Sequence, residues 1–182
     1  MEHRVLVVCT ANVCRSPMAA TMLETACRAQ GTDVHVTSAG VTAVTIGVDP
    51  VAVRLMAERG FDIAGHVPHQ VTPAELVEAD LVVAMTRSHV RTLVADHRSP
   101  LSRTFTLKEL ARRLDDQLVM SLEELQVGRS RRDLLGRSAD DDIADPYGGP
   151  ADGYATCIAD LERSVGALVA GLGRGLLSPS DR

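Results

Sequence analysis

Short apolar runs alternate with longer stretches in which apolar residues recur at helical spacing. Four runs rich in β-branched residues predict strands over 4–8, 34–38, 80–85 and 104–107. The helical spacing predicts helices over 17–30, 50–60, 71–79 and 88–97, and a last one reaching Leu172. Strands that alternate with helices are typical of an α/β domain, so we predict a doubly wound four-stranded parallel sheet with helices on both faces.

The helix that follows the first strand carries clear signals at both ends. Ser16 is a good N-cap, and Pro17 would then occupy the first helical position, where its missing N–H is no loss. Gly31 is suited to close the helix in the left-handed conformation. These signals predict a loop over residues 9–16, called the first loop below, that leads directly into a helix N-terminus.

The rest of the chain offers no domain linker or internal repeat. We expect residues 1–172 to form one domain, with a longer segment at about 108–142 and a frayed tail over 173–182. The longer segment holds a basic cluster at Arg129, Arg131, Arg132 and Arg137 and then an acidic one over 140–142. Charge runs of this kind predict a solvated surface.

Composition and charge remove several classes of function. The chain has 182 residues and a formal net charge of -5, which gives no electrostatic support for binding nucleic acid. No apolar run approaches the ~20 residues that span a membrane, and no secretory signal opens the chain, so we expect a cytoplasmic protein. The four cysteines form no CxxC pattern, and we expect no metal and no other cofactor.

The candidate chemistry lies in the first loop, where Cys9 is followed by Arg15 and Ser16. Successive backbone N–H groups ahead of a helix N-terminus bind a tetrahedral oxyanion, and Arg15 can add a bidentate fork. The same field favours the thiolate of Cys9, which is the nucleophilic form, and the Ser16 hydroxyl can donate to it. The same spacing recurs at Cys157, but it falls inside a helical pattern, so Cys157 is expected only to pack.

These residues resemble the low-molecular-weight protein tyrosine phosphatase family. The string VCTANVCRSP over residues 8–17 looks like that family's signature, and Asp145-Pro146-Tyr147 falls in the family's order after Ser38-Ala39-Gly40 and the His66 region. The resemblance runs from about residue 3 to 172. It implies hydrolysis of phosphotyrosine in proteins through a phosphocysteine, without a cofactor.

The resemblance also implies a role for each site residue. Cys9 would be the nucleophile, Arg15 would bind the phosphoryl oxygens, and Asp145 would be the general acid and then the general base. Ser38 and His66 would support Asn12 from behind the loop, and Cys14 would lie beneath the phosphate. Phosphate contacts are expected from Thr10, Ala11, Asn12, Val13, Cys14 and Ser16, with Tyr147 at the pocket mouth.

Two features depart from the family's pattern. Ala11 stands where a Gly is usual, and its Cβ is tolerated only if its φ stays negative or the loop shifts. The segment 41–48 lacks the aromatic residue that often forms the second wall of the phosphotyrosine slot.

Other functions remain open from the sequence. Arsenate reductases of this fold need two further thiols, and residues 86–144 contain no cysteine. Phosphoarginine phosphatases look similar but carry Thr where this chain has Val13. A non-catalytic phosphate-binding module would be expected to lose Cys9 or Asp145, which are both present. The expected partners are a phosphotyrosine protein, a tyrosine kinase or its targets, and phosphate or vanadate as inhibitors, with no nucleic acid and no membrane.

Overall fold

The centre of the molecule is a four-stranded parallel sheet. The computed structural model describes residues 3–115, 121–129 and 139–177. The strands are β1 (His3–Cys9), β2 (Val34–Gly40), β3 (Leu81–Ala84) and β4 (Thr104–Thr106), and they lie in the order β2-β1-β3-β4. All three neighbouring pairs are parallel, so the predicted α/β fold is confirmed.

Helices connect the strands and cover both faces of the sheet. Their bounds are α1 (Arg15–Ala29), α2 (Pro50–Ala57), α3 (Pro73–Glu78), α4 (Arg87–Ala95), α5 (Leu107–Leu114), α6 (Leu122–Leu125) and α7 (Ala151–Gly173). Short 3-10 turns lie at Leu101–Arg103 and Ala139–Asp141. Within the described ranges, no helix is both long enough and apolar enough to cross a membrane.

The alternation of side chains along β1 divides the core into two layers. Val5, Val7 and Cys9 belong to the larger layer, where α1 and α5 both pack against α7. Leu6 and Val8 belong to the smaller layer, which α3 and α4 cover. Every β1 side chain from Val5 to Cys9 is therefore buried, as a central parallel strand requires.

The start of α1 differs from its prediction. The N-cap is Cys14 rather than Ser16, and no side chain caps the helix. The Ser16 hydroxyl lies instead within hydrogen-bonding distance of Cys9 and Asn12, so it stabilises the first loop and not the helix end. Pro17 still costs no hydrogen bond, because the first four N–H groups of a helix have no partner within it. Gly31 follows the C-cap with a φ of 69°, as its position predicted.

Among the described residues, the prediction of a solvated charged surface is confirmed at Asp140, which is exposed, and is wrong at Arg129 and Asp141. Arg129 and Asp141 are both buried in ion pairs, and the Arg129 guanidinium lies 3.8 Å from the centre of the Phe105 ring. Burial is possible because every charge there meets an opposite one. Arg131, Arg132 and Arg137 lie outside the described residues.

Residues 173–177, the described part of the segment expected to fray, pack against the rest of the domain. Leu176 is buried in the larger core layer, and Arg174 donates to the carbonyl of Leu114 at 3.2 Å. The chain therefore stays packed three residues beyond the end of α7, and residues 178–182 lie outside the described part.

Candidate active site

The candidate site lies at the carboxyl ends of β1 and β2, where open α/β sheets bind ligands. The first loop leaves β1 at Cys9 and enters α1 at Arg15. It forms one side of a pocket of about 250 Å³, lined by Cys9, Thr10, Ala11, Val13, Cys14, Arg15, Val44, Ile46, Asp145 and Tyr147. The structure thus brings the predicted nucleophile, cation and acid into one pocket.

The Cys9 thiol sits at the base of this pocket with two polar neighbours. Its Sγ lies 3.0 Å from the Ser16 Oγ and accepts the backbone N–H of Asn12 at 3.3 Å. Both contacts stabilise negative charge on sulfur, and the N-terminus of α1 adds its dipole. The residue is only 3% exposed, so an attack from Cys9 must come through the pocket.

Asn12 holds the first loop in shape from behind. Its φ is 59°, a left-handed conformation that Asn tolerates better than most residues, and its side chain is fully buried. The Nδ2 group donates to the Oγ atoms of Ser16 at 3.0 Å and Ser38 at 2.9 Å. Asn12 and Ser16 therefore lie behind the pocket wall rather than on its lining.

His66 supports Asn12 from the other side. Its Nε2 lies 3.0 Å from both the carbonyl oxygen and the Oδ1 of Asn12, and since a carbonyl can only accept, Nε2 carries the proton. Burial lowers the pKa of His66, which favours the neutral ring. The structure thus places Ser38 and His66 on Asn12 and away from the pocket lining.

The first loop also packs against β2 without room for a side chain at Gly40. A Cβ there would lie 2.8 Å from the carbonyl carbon of Ala11 and 2.8 Å from the carbonyl oxygen of Thr10. Hydrogen bonds from Val41 to Cys9 O at 3.0 Å and from Thr42 to Thr10 O at 2.9 Å close the contact. The glycine is required for this close approach of two backbones.

Ala11 fits the loop without strain. Among the described residues, only Asn12 and Arg98 combine a side chain with a positive φ. The Ala11 backbone therefore lies in a region that accepts a Cβ, and the exchange of the family's usual Gly has no conformational cost there.

Arg15 is held at three points although it faces the pocket. It is 3% exposed, and its Nη1 donates to the carbonyl of Ile143 at 3.1 Å. Its Nη2 donates to the Thr10 Oγ1 at 3.1 Å and to the Asp145 carboxylate. A buried guanidinium at the base of a pocket is suited to bind the oxygens of a phosphoryl group.

Asp145 and Tyr147 form the opposite rim. Both side chains are about half exposed, and the Tyr147 backbone N–H donates to the Asp145 Oδ1 at 3.3 Å. The segment 41–48 contributes Val44 and Ile46 to the pocket lining, so the wall on that side is aliphatic. Asp145 can deliver a proton to a leaving group in the pocket once an anion replaces its contact with Arg15.

Buried charges anchor the segment that carries Asp145. We call residues 139–147 the acid segment. Arg87, at the start of α4, donates to Asp141 Oδ2 at 2.6 Å and to Glu109 Oε2 at 2.9 Å, while its backbone N–H donates to Asp142 Oδ1 at 2.7 Å. We call the group formed by the buried side chains of Arg87, Glu109, Arg129 and Asp141, together with the partly exposed Arg112, the ion-pair cluster.

The ion-pair cluster keeps the Asp141 carboxylate charged. Burial opposes ionisation of Asp141, but hydrogen bonds from Arg112 and Arg87 outweigh it and lower the pKa of that carboxyl. The next residues continue the anchor, since the Ile143 N–H donates to the carbonyl of Met85 at 2.8 Å. Sequence reasoning missed Arg87 and Glu109, because no local pattern links two residues 22 positions apart.

Two further thiols, Cys14 and Cys157, lie close to each other at the buried side of the first loop. Cys14 is 2% exposed, and burial raises its pKa, with the nearby Cys157 and Asp49 adding to the effect. Burial likewise raises the pKa of Cys157 to about 12. Both are neutral thiols near pH 7, and Cys157 packs in α7 as its helical position predicted. Within the described residues, no group of three or more His, Cys, Asp or Glu side chains is arranged to hold a metal.

Comparisons with known proteins agree with this geometry. The family model described as "Low molecular weight phosphotyrosine protein phosphatase" matches residues 4–119. A protein-arginine-phosphatase from Geobacillus stearothermophilus is 32% identical over 92% of this chain and 95% of its own. A low molecular weight protein-tyrosine-phosphatase from Streptomyces coelicolor is 29% identical over 93% of each chain. The solved low molecular weight protein tyrosine phosphatase from T. tengcongensis superposes with a TM-score of 0.72 at 33% identity, covering 92% of this chain and 98% of its own.

Proposed function

The chain belongs to the low molecular weight phosphotyrosine protein phosphatase family, and we propose that it hydrolyses phosphotyrosine in proteins through a phosphocysteine on Cys9. The observation that carries the proposal is the shared pocket, in which Cys9 Sγ, the Arg15 guanidinium and the Asp145 carboxylate all line one small space. Each of the three supplies one of the functions that phosphomonoester cleavage needs, namely nucleophile, oxyanion binding and proton transfer.

In the first step, the Cys9 thiolate attacks phosphorus as the bond to the tyrosyl oxygen breaks. Backbone N–H groups of the first loop and the Arg15 fork bind the phosphoryl oxygens, where charge develops. A phenolate has a conjugate acid of pKa ~10 and leaves poorly without a proton. Asp145 donates that proton to the leaving oxygen. The Arg15 guanidinium, which contacts Asp145 in the free protein, binds the substrate's phosphoryl oxygens instead.

In the second step, water replaces the sulfur on phosphorus. Asp145, now a carboxylate, takes a proton from the water that attacks the phosphocysteine. The S–P bond breaks, inorganic phosphate leaves, and the Cys9 thiolate is restored with the Ser16 hydroxyl at 3.0 Å to stabilise it. No metal or organic cofactor takes part in either step.

The pocket walls support an aryl substrate. Val13, Val44 and Ile46 present aliphatic surface, and Tyr147 presents an exposed ring on the other rim. A phosphotyrosine ring would lie between the aliphatic wall and Tyr147, which removes apolar surface from water without requiring hydrogen bonds. The absence of an aromatic residue over 41–48 should leave this preference weaker than a slot between two rings would give.

Phosphoarginine is the second candidate substrate. The relative that covers 92% of this chain at 32% identity is a protein-arginine-phosphatase, which is the observation in its favour. A guanidinium substrate would need acceptors in the pocket, and Asp145 carries the one carboxylate among the described lining residues. The Arg15 guanidinium lies beside that carboxylate and would repel a second guanidinium there, so the local charge favours the neutral aryl ring.

Partners and location follow from the proposed reaction. The substrate would be a phosphotyrosine protein, such as a tyrosine kinase or one of its targets, and phosphate and vanadate would inhibit by occupying the first loop. The mechanism needs a free thiolate on Cys9, and a reducing cytoplasm would maintain it.

Two variants and two peptides test the proposal. Cys9→Ser should abolish turnover of para-nitrophenyl phosphate and of a phosphotyrosyl peptide, and it should still bind vanadate, because backbone groups and Arg15 supply the contacts. Arg15→Ala should lose both turnover and vanadate binding. A phosphotyrosyl peptide should be cleaved with a higher kcat/KM than a phosphoarginyl peptide of the same sequence. Turnover by purified Cys9→Ser protein would contradict the mechanism, and preference for phosphoarginine would select the second candidate.

A further inference from the structure

His89 lies in the first turn of α4 and contacts the first loop from the side opposite to His66. The residue is 6% exposed, and both of its ring nitrogens have partners. Its Nε2 lies 3.0 Å from the Thr10 Oγ1, and its Nδ1 lies 2.9 Å from the Thr86 Oγ1. Thr86 is the N-cap of α4, so the ring connects a helix start after β3 with a residue of the pocket lining.

The Thr10 hydroxyl joins His89 to Arg15. The Arg15 Nη2 donates to the Thr10 Oγ1 at 3.1 Å, which uses one of the oxygen's two lone pairs. The hydroxyl has a single proton, and His89 Nε2 is the acceptor within reach of it. If that proton points to His89, the lone pairs of the oxygen are turned toward the guanidinium.

The charge around the ring favours this orientation. Burial and the positive charge of Arg15 lower the pKa of His89 to about 4, so the ring is neutral near pH 7. A neutral imidazole has one donor and one acceptor nitrogen. The Arg15 cation favours the tautomer whose lone pair, on Nε2, faces the loop, and the Nδ1–H then donates to the Thr86 oxygen.

We propose that His89 is a positioning residue of the phosphate site, whose neutral ring accepts the Thr10 hydroxyl proton and so fixes Thr10 as an acceptor for Arg15. The guanidinium is thereby held on two sides, by Thr10 on one and by the Ile143 carbonyl on the other. A fixed guanidinium loses less conformational entropy when it binds a phosphoryl group. The inference rests on the phosphate-binding function proposed above.

Two substitutions at His89 separate its two hydrogen bonds. The side-chain amide of His89→Gln can occupy the place of Nε2 and accept from Thr10, whereas that of His89→Asn occupies the place of Nδ1 and reaches only Thr86. Affinity for vanadate and kcat/KM for para-nitrophenyl phosphate are measured for both. His89→Asn should lower the vanadate affinity and kcat/KM by about tenfold each. This is the effect expected when one hydrogen bond is lost, here the bond to Thr10, which holds Arg15. His89→Gln should restore most of both.

Stability and coupling provide the controls. Thr104→Val removes another buried hydroxyl, with its 2.7 Å bonds to the Ser99 hydroxyl and to the carbonyl of Pro100, far from the first loop. Its melting temperature should fall, and its vanadate affinity then shows whether a loss of stability alone affects binding. We expect its vanadate affinity to be unchanged. Thr10→Val should weaken vanadate binding about as much as His89→Asn does, and the double variant should be no weaker than either single one.

Nitrogen-15 NMR of the wild-type ring gives a readout that activity does not. The inference predicts the tautomer with the proton on Nδ1. A proton on Nε2, equal vanadate affinities for the Gln and Asn variants, or additive losses with Thr10→Val would each overturn it. Failure of the wild-type protein to bind vanadate at all would overturn the proposed function, and this inference with it.

Discussion

The first loop and the acid segment face each other across the same pocket, and they are held in place by different means. Neutral side chains fix the first loop: Asn12 bonds to Ser16 and Ser38, and His66 bonds to Asn12. Charged side chains fix the acid segment, where Arg87 binds Asp141 and Glu109. The first loop must bind an anion, and its neutral supports add no negative charge that would compete with that anion for Arg15 and the backbone dipoles.

The acid segment has a different task, because Asp145 must exchange its contact with Arg15 for one with the leaving group. Its anchor lies upstream, at Asp141, Asp142 and Ile143, and Asp145 itself is about half exposed. The segment is thus anchored through residues 141–143, while Asp145 keeps an exposed side chain. The comparison shows that the rigid phosphate-binding loop and the more exposed proton donor are held by separate sets of residues. Each set can therefore be tested alone.

The largest effect should come from removing the acid while the first loop stays intact. Asp145→Asn should lower kcat/KM on phenyl phosphates, which reports the transfer of the phosphoryl group to Cys9, by roughly 10²- to 10⁴-fold, the usual contribution of general acid catalysis. The loss should shrink as the leaving group becomes more acidic, because a good leaving group needs less protonation. Steady-state kinetics over a series of substituted phenyl phosphates measure it. A loss that is uniform over the series would mean that Asp145 is not the acid.

Breaking the ion-pair cluster should loosen the acid segment and spare the first loop. Asp141→Asn removes the buried carboxylate that Arg87 and Arg112 share and leaves Glu109 as the remaining counter-charge of Arg87, which should cost about 3–5 kcal/mol in the free energy of unfolding, as measured with urea. The kcat on phenyl phosphate should fall, while vanadate affinity should change little.

The neighbouring Asp140 supplies the matched control for that substitution. Its side chain is exposed, so Asp140→Asn makes the same chemical change outside the buried cluster. It should alter stability by less than about 0.5 kcal/mol. Equal losses in the two variants would refute the structural importance of the cluster.

Acid should destabilise the protein through the neutral support of the first loop. His89 binds its proton more weakly when folded, with a pKa of about 4 against 6.5, so the unfolded state takes up more protons. Stability is then complete above about pH 6.5 and falls by about 3 kcal/mol as the pH drops to about 4. The lowered pKa of His66 acts in the same direction.

Urea unfolding at a series of pH values measures this slope, and His89→Gln should remove most of it. A slope that is unchanged in His89→Gln would show that another group titrates. The lowered pKa of Asp141 adds a separate loss at still lower pH, since its ion pairs disappear only when that carboxyl is protonated.

The smallest effect should come from crowding the first loop at Gly40. Gly40→Ala introduces a Cβ that would meet backbone atoms of Thr10 and Ala11 at 2.8 Å, so one of the two segments must shift. Overpacking of this kind costs about 1–3 kcal/mol. Vanadate affinity should fall as well, because the displaced atoms belong to the pocket lining. Gly65→Ala, with no atom within 4 Å of its Cβ, is the control and should leave both quantities unchanged.

The first loop could be predicted from the sequence because its determinants are local. The β-branched run of β1, the cysteine at its end and Arg15 at the start of α1 lie within 12 residues. Even there, the position of Ser16 directly before Pro17 predicts an N-cap, which is wrong. Only the folded loop shows that the Ser16 hydroxyl accepts from Asn12 and lies beside the Cys9 thiol instead of capping the helix.

The support of the acid segment could not be predicted, because it depends on residues that are distant in sequence. Arg129 and Asp141 look like members of exposed charge runs, and nothing nearby indicates that Glu109 and Arg87 meet them in the interior. Asp145 was singled out among four neighbouring acidic residues by its resemblance to the family's D-P-Y sequence alone. His89 likewise has no local signal, since its partner Thr10 is 79 residues away.

The most direct test of the account is to find where the phosphoryl group is covalently held during turnover. Asp145→Asn protein is mixed with para-nitrophenyl phosphate, quenched in acid within milliseconds, digested and analysed by mass spectrometry. This substrate needs little help from the acid when it departs, whereas hydrolysis of the intermediate needs Asp145 as a base, so the intermediate should accumulate. The account predicts a phosphorylated peptide with the phosphate on Cys9. Phosphate on another residue, or continued turnover with no phosphorylated cysteine, would contradict it.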